Sequence, residues 1–481
     1  MKKNFLTAAA VMVTALLLAT TVAQASDVTF GGEFWTRYEL LERNDFDDST
    51  NSDKYVQTRM RLNANVNVNE STSAFIQLQS NRTWGDRFEA AGSGADPAGN
   101  STAGSFDAND LDASVGIHQA YFTLKNVVGL PVDAKTGRQE IIIDGHRIFG
   151  NTLWTMGANS HDAVRLDHKR NNMSFSYAYI KGSEESRAQD DQDNDDVDVQ
   201  MAYMNYAGIL GGKLSVLYAY MDDGCGVAVA SVCNEAADDI HTLGFRQAGQ
   251  LYGIDYRGEY YYQWGDADAT ANQTNVNGGY TAGNPIDRDA YMFGVRVGKS
   301  FNNVTMKPGI TLWYDYLSGT TDRDAQNNEW KSFNTIFDTG HKFYGLQDVF
   351  LGIGNNSAAG GTAGFGLQDL AIKAKLSPIP GWLIKADYHF FFTAERMAGS
   401  PNRGTVGEAT ACTLCEQWTQ RGASNLGQEL DITAVHKYNA NTKVQLGFSN
   451  YQTTETFRLL RTNVGSAPSA NWFYAQVHVG F

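Results

Sequence analysis

From residue 26 onward, apolar and polar side chains alternate one by one, in segments of roughly ten to fifteen residues repeated to the C-terminus. A segment of that kind is stable as a strand only if one face meets an apolar medium and the other meets water. Over residues 56–68, Val56, Met60, Leu62, Ala64, Val66 and Val68 share one face, while Gln57, Arg59, Arg61, Asn63, Asn65 and Asn67 share the other. Leu370, Ile372, Ala374 and Leu376 alternate with Ala371, Lys373 and Lys375. Phe473, Ala475, Val477, Val479 and Phe481 alternate with Tyr474, Gln476, His478 and Gly480, and the last residue is aromatic.

Eighteen such segments can be counted, starting near residues 28, 54, 72, 113, 133, 161, 172, 195, 212, 239, 251, 287, 304, 365, 382, 428, 442 and 470. Their connections alternate in length. Asn69-Glu70-Ser71, Arg170-Asn171, Phe301-Asn302-Asn303 and Asn439-Ala440-Asn441 are tight, whereas 85–112, 265–286, 319–364 and 394–427 are long. Short turns on one side and long loops on the other are the signature of a transmembrane antiparallel up-and-down β-barrel, with the turns in the periplasm and the loops outside. A soluble β-sandwich also alternates, but it gives no reason for loop lengths to alternate as well. Closure is required in lipid, because every backbone N–H and C=O in hydrocarbon needs a partner and an open sheet leaves two edges unpaired. Phe34, Tyr38, Phe122, Tyr177, Tyr260, Tyr262, Tyr314, Tyr316, Tyr388, Phe392 and Phe448 fall on the outward parity, as candidates for the interfacial aromatic girdles.

The N-terminus reads as a secretory signal. Lys2 and Lys3 precede an apolar run over residues 5–19, followed by Ala23-Gln24-Ala25. Thr7 and Thr14 interrupt the run, which is short for a membrane-anchoring helix. The expected organisation is therefore a signal peptide at 1–25 and one barrel at 26–481. Removing Lys2 and Lys3 from the 38 basic residues leaves 36 against 53 acidic ones, a formal charge of −17. That balance argues against nucleic acid as a partner.

Eighteen strands enclose a lumen too wide for wall side chains to fill. By parity Arg37, Arg59, Arg61, Arg138, Arg165, Arg257, Arg296, Lys373 and Lys385 point into it, as do Glu33, Asp167, Asp255, Glu259, Asp315, Asp387, Glu429 and Asp431. Guanidinium groups in a confined passage concentrate anions and bind carboxylates in a bidentate fashion. Pairing across the wall is the competing role for each of them. Arg165 and Asp167, two apart on one strand, illustrate it. Arg59 and Arg61 are the strongest candidates for solute contact, since no acidic residue lies between Gln57 and Asn69.

Cys225, Cys233, Cys412 and Cys415 fall in inferred outer loops, where the oxidising envelope favours two local disulfides. Cys412-Thr413-Leu414-Cys415 lacks the following His of a haem attachment site. The acidic stretch 184–198, with Asp190, Asp191, Asp193, Asp195 and Asp196, is a solvated loop or a divalent-cation bridge to lipid phosphate, without the Gly and distal Glu of an EF-hand. The long connection 320–364 is a candidate inward constriction. No Gly-x-Ser-x-Gly elbow occurs, and His118, placed by parity on the lipid face, has no obvious serine partner, so enzymatic activity is not expected. No metal or cofactor motif is found.

Four stretches resemble the alginate-export porins of the outer membrane. They are Arg59-x-Arg61; Gly137-Arg138-Gln139-Glu140 with Asp144-Gly145-x-Arg147; Asp162-x-Val164-Arg165; and Tyr314-Asp315-Tyr316-x-Ser318-Gly319 leading to Thr339-Gly340-His341-Lys342-Phe343-Tyr344-Gly345. The resemblance implies an eighteen-stranded barrel with an arginine-lined constriction, and a solute drawn from anionic saccharides such as alginate, other sugars, organic acids or aromatic anions. The terminal Phe481 resembles the insertion signal by which the barrel-assembly machinery engages outer-membrane proteins. A monomer in contact with lipid and lipopolysaccharide, passing a small anionic or saccharide solute down its gradient, is the expectation. The alternative is a sleeve that holds a periplasmic or electron-carrier protein and conducts nothing.

The expected mature protein begins at Ser26; intact mass of the protein recovered from the outer-membrane fraction checks this, and retention of residues 1–25 would overturn it.

Overall fold

The computed structural model describes residues 27–42, 46, 52–84, 115–183, 197–223, 238–267, 286–351, 361–362, 364–397, 423–460 and 467–481. The expected signal peptide, the four cysteines and nearly all of the acidic stretch lie outside the described residues. Eighteen long strands form the wall. They are β1 (Asp27–Glu42), β2 (Asp53–Asn69), β3 (Thr72–Thr83), β4 (Gly116–Leu124), β5 (Asp133–Gln139), β6 (His161–Arg170), β7 (Met173–Ser183), β8 (Val197–Ile209) and β9 (Gly212–Asp223), continuing with β10 (Asp238–Leu251), β11 (Ile254–Ala267), β12 (Ile286–Ser300) and β13 (Gly309–Leu317). The last five are β15 (Leu367–Leu376), β16 (Trp382–Met397), β17 (Ala423–Lys437), β18 (Thr442–Thr453) and β19 (Ser469–Gly480), and the two-residue β14 (Glu329–Trp330) sits inside a loop, parallel to β12.

Each wall strand pairs antiparallel with its neighbours in sequence, and β1 pairs with both β2 and β19, so the sheet closes and no wall edge is left unpaired. The alternation predicted for 56–68 is what β2 shows. Leu62 is exposed on the outside while Arg59 and Arg61 are buried on the inside.

Two starts differ from expectation for identifiable reasons. The thirteenth wall strand begins at Gly309 rather than near 304, because Met306 and Lys307 take positive φ and Pro308 has no N–H for the ladder. The sixteenth begins at Ala423 rather than near 428, because Gly427 at φ 134 breaks the alternation that would have revealed its first residues.

Around the outer half of β9–β13 the outward face carries a band of rings. His241 stacks between Tyr220 at 4.5 Å and Trp264 at 5.2 Å, and Tyr291 stacks on Tyr316 at 5.7 Å. At the outer boundary of this band, Asp198, Asp222, Asp239, Asp266 and Asp287 stand opposite one another on five successive strands. Like charges in such a row repel, which is tolerable where water reaches them.

The lumen is occupied by the chain itself. Residues 140–160 and the described residues of 318–366, both long outer-side connections, fold inward and meet. Gly150 N–H donates to the Phe337 carbonyl at 2.8 Å, Phe337 N–H to the Ile148 carbonyl at 3.0 Å, and Thr339 N–H to the His146 carbonyl at 3.1 Å. Ile141, Ile143, Ile148 and Phe149 from the first loop join Phe333, Phe343, Tyr344, Phe350 and Phe365 from the second in one apolar core. It packs on inward wall residues such as Ala178, Ile180, Val199, Met201 and Leu217. Small inward residues make room for large ones. A side chain on Gly447 would occupy the ring position of Tyr474.

Leu62→Arg, on the outward face near the middle of β2, is expected to destabilise the barrel by about 2–4 kcal/mol, whereas inward Asn65→Arg on the same strand costs less than about 0.5 kcal/mol. Urea unfolding in lipid vesicles reads the difference, and equal costs would overturn the face assignment.

Candidate permeation site

Charged side chains gather in the lumen in two places, one on each side of the joined loops. The first is built on β1–β4. Arg59 is 0% exposed, and both its terminal nitrogens are engaged. Its Nη1 donates to the carbonyls of Leu153 at 3.1 Å and Thr155 at 3.2 Å, its Nη2 to Glu33 at 3.2 Å, and its guanidinium lies 4.3 Å from the Trp35 ring centre. Arg61 donates from Nε to Gln79 at 2.7 Å, meets His118 at 3.0 Å, and lies 3.5 Å from Glu33 and 3.6 Å from Glu140. Arg37 donates to Glu39 at 2.6 Å and to the Trp154 carbonyl at 2.8 Å while stacking over the Trp154 ring at 4.0 Å. Gln79 adds a bond to the Gly157 carbonyl at 2.7 Å.

These arginines therefore hold the loop 140–160 in place. Four of its carbonyls, at residues 153, 154, 155 and 157, end on the β1–β3 wall, satisfying groups that would otherwise be buried without a partner. Glu140 completes the cluster. Burial would raise its carboxyl, but His118 at 2.9 Å, Asn151 at 2.8 Å and Arg61 hold it below the ordinary value. A chamber of about 230 Å³, lined by Arg37, Gln57, Trp154, Asp348 and Trp472 among others, lies beside this cluster.

The second cluster is built by β9–β13 and both loops. Arg147, from the first loop, crosses to the far wall. Its Nη1 donates to Tyr344 Oη at 2.7 Å, and its Nη2 to Glu259 at 3.1 Å and to Asp315. Burial works against the charge on Arg147, but Asp315, Tyr344 and Glu259 outweigh it and hold the proton firmly. Arg296 lies against the Trp313 ring, 3.6 Å from Asp315 and 3.7 Å from Glu259. Arg246 reaches Asp144 at 3.4 Å and Glu259 at 3.7 Å.

Arg257 differs in that no hydrogen bond or ion pair engages it among the described residues; it lies 5.3 Å from the Trp313 ring centre, and its Nε and Nη2, like those of Arg296, are buried without a hydrogen-bond acceptor. Lys342, from the second loop, lies near it. Burial and the charges of Arg257, Arg246 and Arg147 together lower the Lys342 ammonium below its ordinary range. Three of these cations, Arg147, Arg246 and Arg296, thus share the carboxylates of Asp144, Glu259 and Asp315, while Arg257 and Lys342 stand beside them without an ion pair among the described residues. Where the loops cross, burial pushes the Asp338 carboxyl up to about 7 against the pull of Arg147.

The remaining sequence candidates have other places. Glu429 accepts the amide N–H of Leu346 at 2.7 Å and Gln347 at 2.9 Å, so it anchors the second loop, with Ser449 bridging to Asp431. Lys373 sits between Asp387 and His389, 3.0 Å from each. Arg165 pairs with Asp167 at 2.9 Å, and Asp255 accepts from Gln250 at 2.8 Å. Lys385 faces the lumen near the periplasmic end without a carboxylate partner.

Two placements correct the sequence reading. Arg138 faces outward, opposite Ala120 and 3.0 Å from exposed Asp162. β5 carries no large apolar side chain on either face, so its alternation cannot set its parity. His118, expected on the lipid face, is buried inside on Arg61 and Glu140. A bulge opposite Gln77 and Leu78 shifts the parity of β4 at that point. Sequence reasoning also missed Arg246, Arg147 and Lys342 as site residues. The last two lie on loops, where periodicity carries no information, though the motifs around them signalled the segments.

No curated protein matches the sequence. Among solved structures, OccAB1 of Acinetobacter baumannii is similar at 12% identity and TM-score 0.53, covering 95% of this chain and 97% of that one. OpdO of Pseudomonas aeruginosa is similar at 9% identity and TM-score 0.53, covering 95% and 98%. At these identities the likeness concerns the fold. The family model for alginate export matches residues 26–466. With the closed eighteen-stranded barrel around a charged lumen, this places the chain in the alginate-export family, as an outer-membrane channel.

Proposed function

We propose that this channel passes anionic solutes passively, with carboxylate-bearing saccharides of the alginate type within its range, and that Arg257, Arg246 and Lys342 are the groups an anion meets at the narrowest level. The observation that carries the reading is the unpartnered guanidinium of Arg257 beside Lys342. Arg257 is half-buried, and its two buried donors are costly to leave unmet unless an anion completes their shell; in a confined passage such donors replace part of the water around a permeating anion. Arg59 and Arg61, whose donors are largely taken by loop carbonyls and carboxylates, act in this reading as the struts that set the width of the passage. The family assignment supports the anionic class of solute. The chain's own loops occupy the lumen, which favours a channel over a sleeve around a second protein.

Single-channel current in planar bilayers under a salt gradient tests this. The wild type should be anion-selective, and Arg257→Gln should lower the anion preference about two-fold or more with little change in conductance. Unaltered selectivity in Arg257→Gln would overturn the assignment. Arg59→Gln should instead raise conductance and current noise, because removing one partner of a buried pair costs about 3–5 kcal/mol and frees the loop 140–160. A change in selectivity alone in that variant would mean that Arg59 contacts solute.

A further inference from the structure

The inward face of the barrel is not evenly charged along its axis. On β15–β18, below Asp387 and Asp431 toward the short-turn end, the inward positions hold Lys375, Lys385, Lys437 and Lys443 and no carboxylate. Lys375 stands directly opposite Lys385 across β15 and β16, and Lys437 directly opposite Lys443 across β17 and β18. His478 on β19, the cross-strand partner of Lys443, ends the arc, held by the Glu33 carboxylate of β1 at 3.1 Å. Like charges placed directly opposite each other destabilise a sheet, and none of these lysines has an ion-pair partner within 4 Å among the described residues.

Lipid phosphate does not account for them. The outward residues at the same level are Leu376, Ile384, Ala434, His436 and Val444, so the lysines face water inside the mouth. Lys437, Lys443 and His478 line a cleft of about 480 Å³ at the periplasmic lip.

We propose that Lys375, Lys385, Lys437 and Lys443 form a collecting site at the periplasmic mouth for solutes bearing two or more carboxylates. Direct opposition places the Cβ atoms of each pair about 5 Å apart, so both ammonium groups of a pair can reach one multivalent anion while a monovalent ion meets only one. The inference rests on the anion-channel reading above but concerns a different set of residues.

The test uses citrate as the multivalent probe and acetate as the monovalent control, added to either chamber of a single-channel bilayer. In the wild type, citrate should block from one side at least about ten-fold more strongly than from the other, acetate should show no such asymmetry, and block should fade between 0.1 M and 1 M salt as screening shortens. The quadruple variant Lys375→Gln, Lys385→Gln, Lys437→Gln, Lys443→Gln should lose the asymmetry while still conducting chloride, and the corresponding quadruple Lys→Arg variant should restore it. Calorimetric titration of the purified full-length protein with citrate reads the site without current. Wild-type binding that the Gln variant loses supports the site even if no channel opens. Symmetric block, or block and binding unchanged in the Gln variant, overturns it even if anion selectivity at Arg257 stands.

Discussion

Hydrocarbon offers no hydrogen-bond partner to a peptide group, and the rest of this structure depends on that constraint. A sheet meets it only by closing, and β1 does so by pairing with β2 on one side and β19 on the other. Closure fixes which face of each strand meets lipid, which is why Leu62 and Leu446 are exposed while Arg61 and Ser449 are buried. It also fixes the diameter, and eighteen strands enclose more space than wall side chains can fill.

The second constraint follows from the first. A wide interior has to be filled if the passage is to discriminate, and the only material available is the chain's own outer connections. A loop drawn inside brings buried carbonyls and amides, which need partners. Arg59, Arg37 and Gln79 supply them to the first loop, and Glu429 supplies them to the second. The two loops also satisfy each other along 146–150 and 336–339 and share an apolar core. Charge inside this barrel is therefore structural in large part, holding polypeptide where lipid-facing alternation cannot reach.

Much of the fold was legible because its code is local. Period-two alternation and the lengths of connections are visible in the sequence, and they locate all eighteen wall strands within a few residues. They fail where the alternation itself fails. β5 has no apolar face, so parity wrongly assigns Arg138 to the inside; the bulge in β4 makes parity assign His118 to the outside; Gly427 hides the first residues of β17. The site was legible only by halves. Parity finds which wall residues face inward, but not what the loops bring to meet them. Nothing in strand 53–69 says that Arg59 ends on the carbonyls of residues 153 and 155.

For this reason a count of inward arginines says little about selectivity. Arg59 and Arg257 have the same chemistry and the same parity, yet three acceptors engage the two terminal nitrogens of Arg59, leaving only its Nε unbonded, whereas no hydrogen bond or ion pair engages Arg257 among the described residues. The difference arises from chain distant in sequence: Leu153 and Thr155 turn their carbonyls to Arg59, while Gly145, without a side chain, leaves the guanidinium of Arg257 room. Any side chain at residue 145 would press on Arg257, with the ideal Cβ position only 2.9 Å from its Nη1. The Asp144-Gly145-x-Arg147 stretch thus does two things within four residues. Arg147 ties the loop to Glu259 and Asp315, and Gly145 keeps the adjoining cation unobstructed. A passage selective for anions needs both, because a loop held by the same donors that solute must use would leave none free to replace its water.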